Sequence, residues 1–135
     1  MPSPHLWVMS MKRTPLALLA VLAIGAAPFY RAEADDSGAG AAAFRVCAAC
    51  HSLQPQVTKV GPSLHGVIGR KAGTLPGFAY SEAMKQSGLV WDEPTLMRYL
   101  RAPREIVPGT RMTFAGIKDD TKLHALIDYL KTATQ

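Results

Sequence analysis

The sequence predicts an all-α domain of four or so short helices joined by long loops, and three observations lead there. Four stretches open on a residue type that caps helices, and each then carries a helical apolar pattern or a helix stop. Nowhere do apolar and polar side chains alternate convincingly enough to make a strand. Between the first and second helical stretches, Ser52 to Gly77 holds three Pro and five Gly with no sustained period, which reads as loop. A chain of 135 residues has room for one such domain.

The elements follow in order. Lys12 and Arg13 precede an apolar run of 13 residues, Pro15 to Ala27, and then Ala32-Glu33-Ala34. A positive start, a short apolar stretch and an A-x-A site make a secretory signal peptide, so residues 1–34 are expected to be cleaved and 35–135 to form the mature domain. The run is short for a spanning helix, which needs about 20 residues. The residues before Lys12 look like an over-long start, since Met9 or Met11 gives a tidier leader. Asp35-Asp36-Ser37 can cap a helix running from about Gly38 into Cys47. Ser81 caps a short helix ending near Gly88. Asp92 caps a third, with Pro94 tolerated in its first turn and Pro103 closing it near Arg101. A second loop, Pro103 to Gly116, follows. Asp119 and Asp120 open the last helix, which carries Leu123, Leu126, Ile127 and Leu130 on one face.

Loss of the leader takes Lys12, Arg13, Arg31 and Glu33 with it, and lowers the net charge from +5 to +3. That mild excess, with no long Lys/Arg cluster, argues against nucleic acid as a partner. The two cysteines stand in Cys47-Ala48-Ala49-Cys50-His51, the attachment signature of c-type haem. The spacing serves the chemistry: two thiols add to two porphyrin vinyl groups, and the adjacent histidine supplies an axial nitrogen to iron. A thioredoxin-like reading needs a βαβ setting that the chain lacks, and a zinc site needs four ligands where only His65 and His124 are left over, off finger spacing. A bound haem also accounts for loops this long, which can pack their apolar residues on the ring.

The sixth position on iron has five candidates: Met84, Met97, Met112, His65 and His124. Met97 stands in a helix beside Leu96 and Leu100, where core packing is the default, and His124 reads as a surface histidine beside the last helix's apolar stripe. Met112 lies in the irregular Pro108-Gly109-Thr110-Arg111-Met112, a loop able to carry a thioether to the ring face opposite His51. Composition alone leaves the choice open.

From about Gly40 to Thr134 the chain resembles class I cytochrome c. The resemblance rests on the attachment motif, on Gly61 to Lys71, Trp91, Thr95 to Leu100, Pro108 to Ile117, and Leu126 to Lys131. It implies the cytochrome c fold around one covalently bound haem c, with His51 and Met112 as axial ligands and Cys47 and Cys50 as the thioether residues. It further implies that the Pro62 carbonyl receives the free N–H of His51, that the Tyr99 hydroxyl reaches the Met112 sulfur, that Arg70, Tyr80 and Trp91 donate to the haem propionates, and that Thr110 helps hold the same region. By the same resemblance Gly40 and Phe44 cross the last helix at Leu126 and Tyr129. The chain departs from the mitochondrial pattern at Met84, where an Asn is common, and in lacking several lysines of the partner-binding ring. Arg45, Lys59, Arg104, Arg111 and Lys118 are left to form a basic docking patch.

The function implied is a soluble, monomeric periplasmic electron carrier, not an enzyme. Its donor would be a quinol-oxidising complex of a respiratory chain or a periplasmic dehydrogenase, and its acceptor an oxidase or a photosynthetic centre. The alternative is a haem-based sensor or peroxidase-like protein with a labile sixth ligand.

Overall fold

The computed structural model describes residues 36–135. The expected leader and its cleavage site, and the side chains expected to cap the first helix, lie outside the described residues. Among the described residues there are five helices: α1 Asp36–Ala48, α2 Glu82–Gln86, α3 Glu93–Arg101, α4 Pro103–Ile106 and α5 Asp120–Ala133. Among the described residues there is no strand, only one isolated antiparallel bridge between Lys71 and Val90, and no helix is long and apolar enough to cross a membrane.

Three caps form as their residue types dictate. The side chains of Ser81, Asp92 and Asp119 accept from the amides of Met84, Thr95 and Lys122, at 3.1, 2.9 and 2.9 Å. The reading of Pro103 to Gly116 as loop throughout needs one correction, because its first four residues turn into α4. Pro103 stands at the first helical position, where a missing N–H costs nothing, and Glu105 and Ile106 both donate to the Ala102 carbonyl.

α1 and α5 form the most extensive helix–helix contact. They cross at Gly40, where a side chain would stand 2.3 Å from the Ala125 carbonyl oxygen and 2.4 Å from Tyr129 Cβ. The glycine lets the backbones meet, and Phe44 then packs on Tyr129 with ring centres 5.7 Å apart. Leu123 and Leu126 of α5, both fully buried, join Ala43, Phe44, Ile117 and Leu130 in one half of the core. Val67, Ala72, Met84, Trp91, Leu96, Tyr99, Val107 and Ile127 make the other half. Leu64, Met97 and Leu100 pack against both halves, so Met97 takes the core role expected of it.

The long loop is held by its own turns and by distant partners. Ser63 is fully buried, donating to the Gln54 carbonyl at 2.6 Å and accepting from the His65 amide at 3.2 Å. The Gly66 amide donates to Thr134 at the far end of the chain. These bonds satisfy polar backbone that the lack of regular structure would leave stranded.

Candidate functional site

Half-buried Cys47 lies in the last turn of α1, and the chain turns just after it, with the amides of Cys50 and His51 both donating to the Cys47 carbonyl at 3.0 and 2.9 Å. The turn brings both thiols and the imidazole out of one short segment. Both thiols are free. Burial, reinforced by the neighbouring Cys50, pushes the Cys47 thiol above its usual value, so it stays protonated.

His51 Nδ1 lies 2.8 Å from the Pro62 carbonyl oxygen. A carbonyl only accepts, so Nδ1 carries the proton and Nε2 keeps a free lone pair. Burial pulls the imidazole below its ordinary 6.5, against the opposing effect of the Pro62 bond, and Lys59 lowers it further. The neutral form that binds metals is therefore favoured. The ring lies across Gly61, where a Cβ would come within 2.4 to 2.9 Å of Cε1, Nδ1 and Nε2. Glycine at 61 is thus part of the histidine's seat.

The second cluster is built on α3 and the loop after α4. Tyr99 is buried and donates its hydroxyl proton to Met112 Sδ at 3.8 Å. With that proton committed, the Tyr99 oxygen can accept from Thr110 Oγ1 at 3.3 Å, and Thr110 Oγ1 in turn accepts the Met112 amide at 3.3 Å. Tyr99, Thr110 and Met112 are one network. Trp91 packs on the Tyr99 ring at 4.8 Å between centres, and its backbone pairs with Arg70. The Arg70 guanidinium donates to the carbonyls of His65 and Ser63 at 2.9 and 3.0 Å, which fixes it without using all of its five N–H groups. Tyr80 stands edge-on to Phe78 at 4.7 Å and is an electrostatic neighbour of Arg70.

Burial raises both the Tyr99 and Tyr80 phenols above their usual 10.0, with Thr110 and Arg70 respectively opposing it. A raised phenol contributes stability that is complete below pH 10.0 and is lost as pH rises through the folded-state value. Unfolding by denaturant at a series of pH values should therefore show stability falling above about pH 10, and Tyr99→Phe should flatten that fall.

Of the ten residues read from the sequence as the site, Cys47, Cys50, His51 and Pro62 are brought together in one group, and Tyr99, Thr110, Met112 and Trp91 in a second. Arg70 and Tyr80 adjoin the second. The two groups belong to the two halves of the core: Cys47 packs on the half containing Phe44, and Met112 on the half containing Trp91. Among the rival axial candidates, Met84 is buried, Met97 packs in the core, His65 is half-buried and His124 is exposed on α5.

These residues fit a c-type haem on three counts. Two thiols at the right spacing are free, an imidazole beside them keeps an unshared nitrogen lone pair, and a thioether is oriented by a hydroxyl rather than lost among apolar side chains. Among the described residues no three or more His, Cys, Asp and Glu side chains cluster together.

Sequence reasoning missed several contacts. Gly61 under His51 and buried Ser63 carry no local signal. The basic residues are also less free than their exposure suggests: Lys59 donates to the Ala48 carbonyl at 2.8 Å, Lys118 to Arg101 at 2.8 Å, and Arg111 to Ala79. Arg104 and Lys118 line one surface cleft of about 350 Å³ together with Phe114.

Comparison with known proteins gives one consistent answer. The family model described as cytochrome c matches residues 37–134. Cytochrome c2 of Blastochloris viridis is 47% identical over 114 residues, covering 84% of this chain and 87% of that protein. Cytochrome c2 iso-2 of Magnetospirillum molischianum is 53% identical over 91 residues, covering 67% and 94%. Among solved structures, cytochrome cH from Methylobacterium extorquens superposes with a TM-score of 0.68 at 48% identity, covering 72% of this chain and 98% of that one.

Proposed function

Because the chain belongs to the cytochrome c family and so carries a covalently bound haem c, we propose that it is a periplasmic electron shuttle whose iron is held between His51 and Met112. One observation carries this reading: each proposed axial side chain is held by its own hydrogen bond, His51 by the Pro62 carbonyl and Met112 by the Tyr99 hydroxyl. A bound haem supplies the redox couple. The chain's own residues supply restraint.

Two pre-oriented ligands leave no position for a substrate, which suits a carrier rather than an enzyme or gas sensor. Cys47 and Cys50 are the proposed thioether residues, and they prevent loss of the cofactor outside the cytoplasm. Tyr99, by donating to Met112, draws electron density from the sulfur and fixes its direction. Arg70 is clamped by two carbonyls yet retains free donors, and Tyr80 and Trp91 stand beside it, which supports their assignment to the haem propionates, where unpaired carboxylates would be costly to bury. Partners are redox proteins; we assign a quinol-oxidising complex or periplasmic dehydrogenase as donor, and an oxidase or photosynthetic centre as acceptor. Such encounters use small, short-lived interfaces. Cleavage of residues 1–34 as an export signal and a monomeric mature domain belong to the same proposal.

Optical spectra of the purified holoprotein, oxidised and reduced, test it. A low-spin ferric spectrum with the weak long-wavelength band of sulfur-to-iron charge transfer, and a reduced spectrum indifferent to carbon monoxide, are expected. A high-spin ferric spectrum with rapid carbon monoxide binding would identify a sensor or peroxidase-like protein instead.

A further inference from the structure

We propose that Lys59 sets part of the reduction potential, its ammonium being held on the attachment turn beside His51, where it disfavours the extra positive charge of the ferric state. The inference rests on iron being held between His51 and Met112. It goes beyond that reading by giving an exposed lysine a task other than docking.

Three bonds lay residues 59–62 along the turn from Cys47 to His51. The Gly61 amide donates to the Cys50 carbonyl, His51 Nδ1 to the Pro62 carbonyl, and Lys59 Nζ to the Ala48 carbonyl, each at 2.8 Å. Only the last brings a charge. Ala48 stands between the two cysteines, so the ammonium is pinned to the stretch that carries both thiols. The Lys59 amide bonds the Gly61 carbonyl at 3.0 Å, which also fixes the backbone from which the side chain starts. Because Gly61 and Pro62 hold the turn without it, removing the ammonium should leave the histidine seated.

Two further observations show that this charge is local and uncompensated. It acts on the half-buried His51 ring, adding to burial in disfavouring a proton there. From Ser37 to Ser81 the chain has no Asp or Glu, while Arg45, Lys59, Arg70 and Lys71 fall within that stretch. Lys59 also takes part in no ion pair among the described residues. Ferric iron carries one more positive charge than ferrous iron, so a fixed cation nearby raises the free energy of the oxidised state more than that of the reduced one. Lys59 is exposed, so solvent weakens the effect and salt screens it.

Redox titration of the holoprotein tests this at about 0.01 M and about 1 M salt, between which the screening length falls from about 30 to about 3 Å. At low salt Lys59→Gln is expected to lower the equilibrium constant for reduction about threefold, which is about 28 mV at roughly 59 mV per factor of ten. At high salt the difference should shrink to less than about 1.5-fold. Lys59→Arg keeps the charge and should stay within about 1.5-fold of the native protein at both salts. Lys122→Gln removes the same charge from α5, where it makes no bond to the attachment turn, and should also stay within about 1.5-fold. The sulfur-to-iron band should be native in every variant. A native band in Lys59→Gln with an unchanged potential overturns the inference alone. Equal falls in Lys59→Gln and Lys122→Gln would overturn it in favour of net charge. A fall that is as large at high salt, or that comes with an altered band, would overturn it in favour of displaced ligands. A high-spin native ferric protein refutes the pair of axial ligands, and the inference falls with it.

Discussion

Met112→Ala is expected to convert a haem protein closed to external ligands into one that binds carbon monoxide at a full one molecule per haem when reduced. Alanine at 112 has no atom that can reach iron, and it also removes the acceptor of the Tyr99 hydroxyl. The fold should survive. Met112 is only half-buried, and the loop around it is fastened through Arg111, Gly109 and Lys118 rather than through the methionine side chain. Carbon monoxide titration of the reduced variant and the ferric long-wavelength band are the measurements. The reduction potential should fall as well, since sulfur ligation favours the reduced state. A variant that refuses carbon monoxide and keeps the band would move the ligand to Met84 or Met97.

Gly40→Val is expected to carry the largest stability loss, about 3 kcal/mol or more in a denaturant titration of the holoprotein. The new Cβ would meet the Ala125 carbonyl oxygen at 2.3 Å and Tyr129 Cβ at 2.4 Å. Neither is the free end of a flexible side chain, so α1 and α5 must separate. Separation would open the contact of Phe44 with Tyr129 and strip cover from Leu123 and Leu126, which are fully buried. Ala42→Val, on an exposed position of the same helix, should change stability by no more than about 0.5 kcal/mol. Similar losses in the two variants would mean that helix propensity, not the crossing, sets the cost.

What the sequence disclosed and what it withheld divide along physical lines. Signals contained within a few residues were legible: the Cys47 to His51 spacing, the Asp92 and Asp119 caps, and the apolar stripe of α5 all formed as written. The resemblance added the pairings of His51 with Pro62 and of Tyr99 with Met112, which no local rule supplies. α4 escaped because a four-residue turn opening on Pro103 is too short to show a period, and proline reads equally as an end or a beginning. The Arg111 bond to Ala79, the clamp on Arg70 and buried Ser63 escaped for a different reason. Each spends a polar side chain on a backbone carbonyl, and every residue has one of those, so sequence carries no mark of the partner.

The assignment of iron to His51 and Met112 is tested most directly by proton NMR of the reduced protein. The methyl group of an axial methionine sits over the porphyrin face, where the ring current shifts it far upfield of every other signal. We predict one three-proton line there in the native protein, absent from Met112→Ala and retained in Met84→Leu and Met97→Leu. Persistence of that line in Met112→Ala, or its loss in Met84→Leu, would contradict the account.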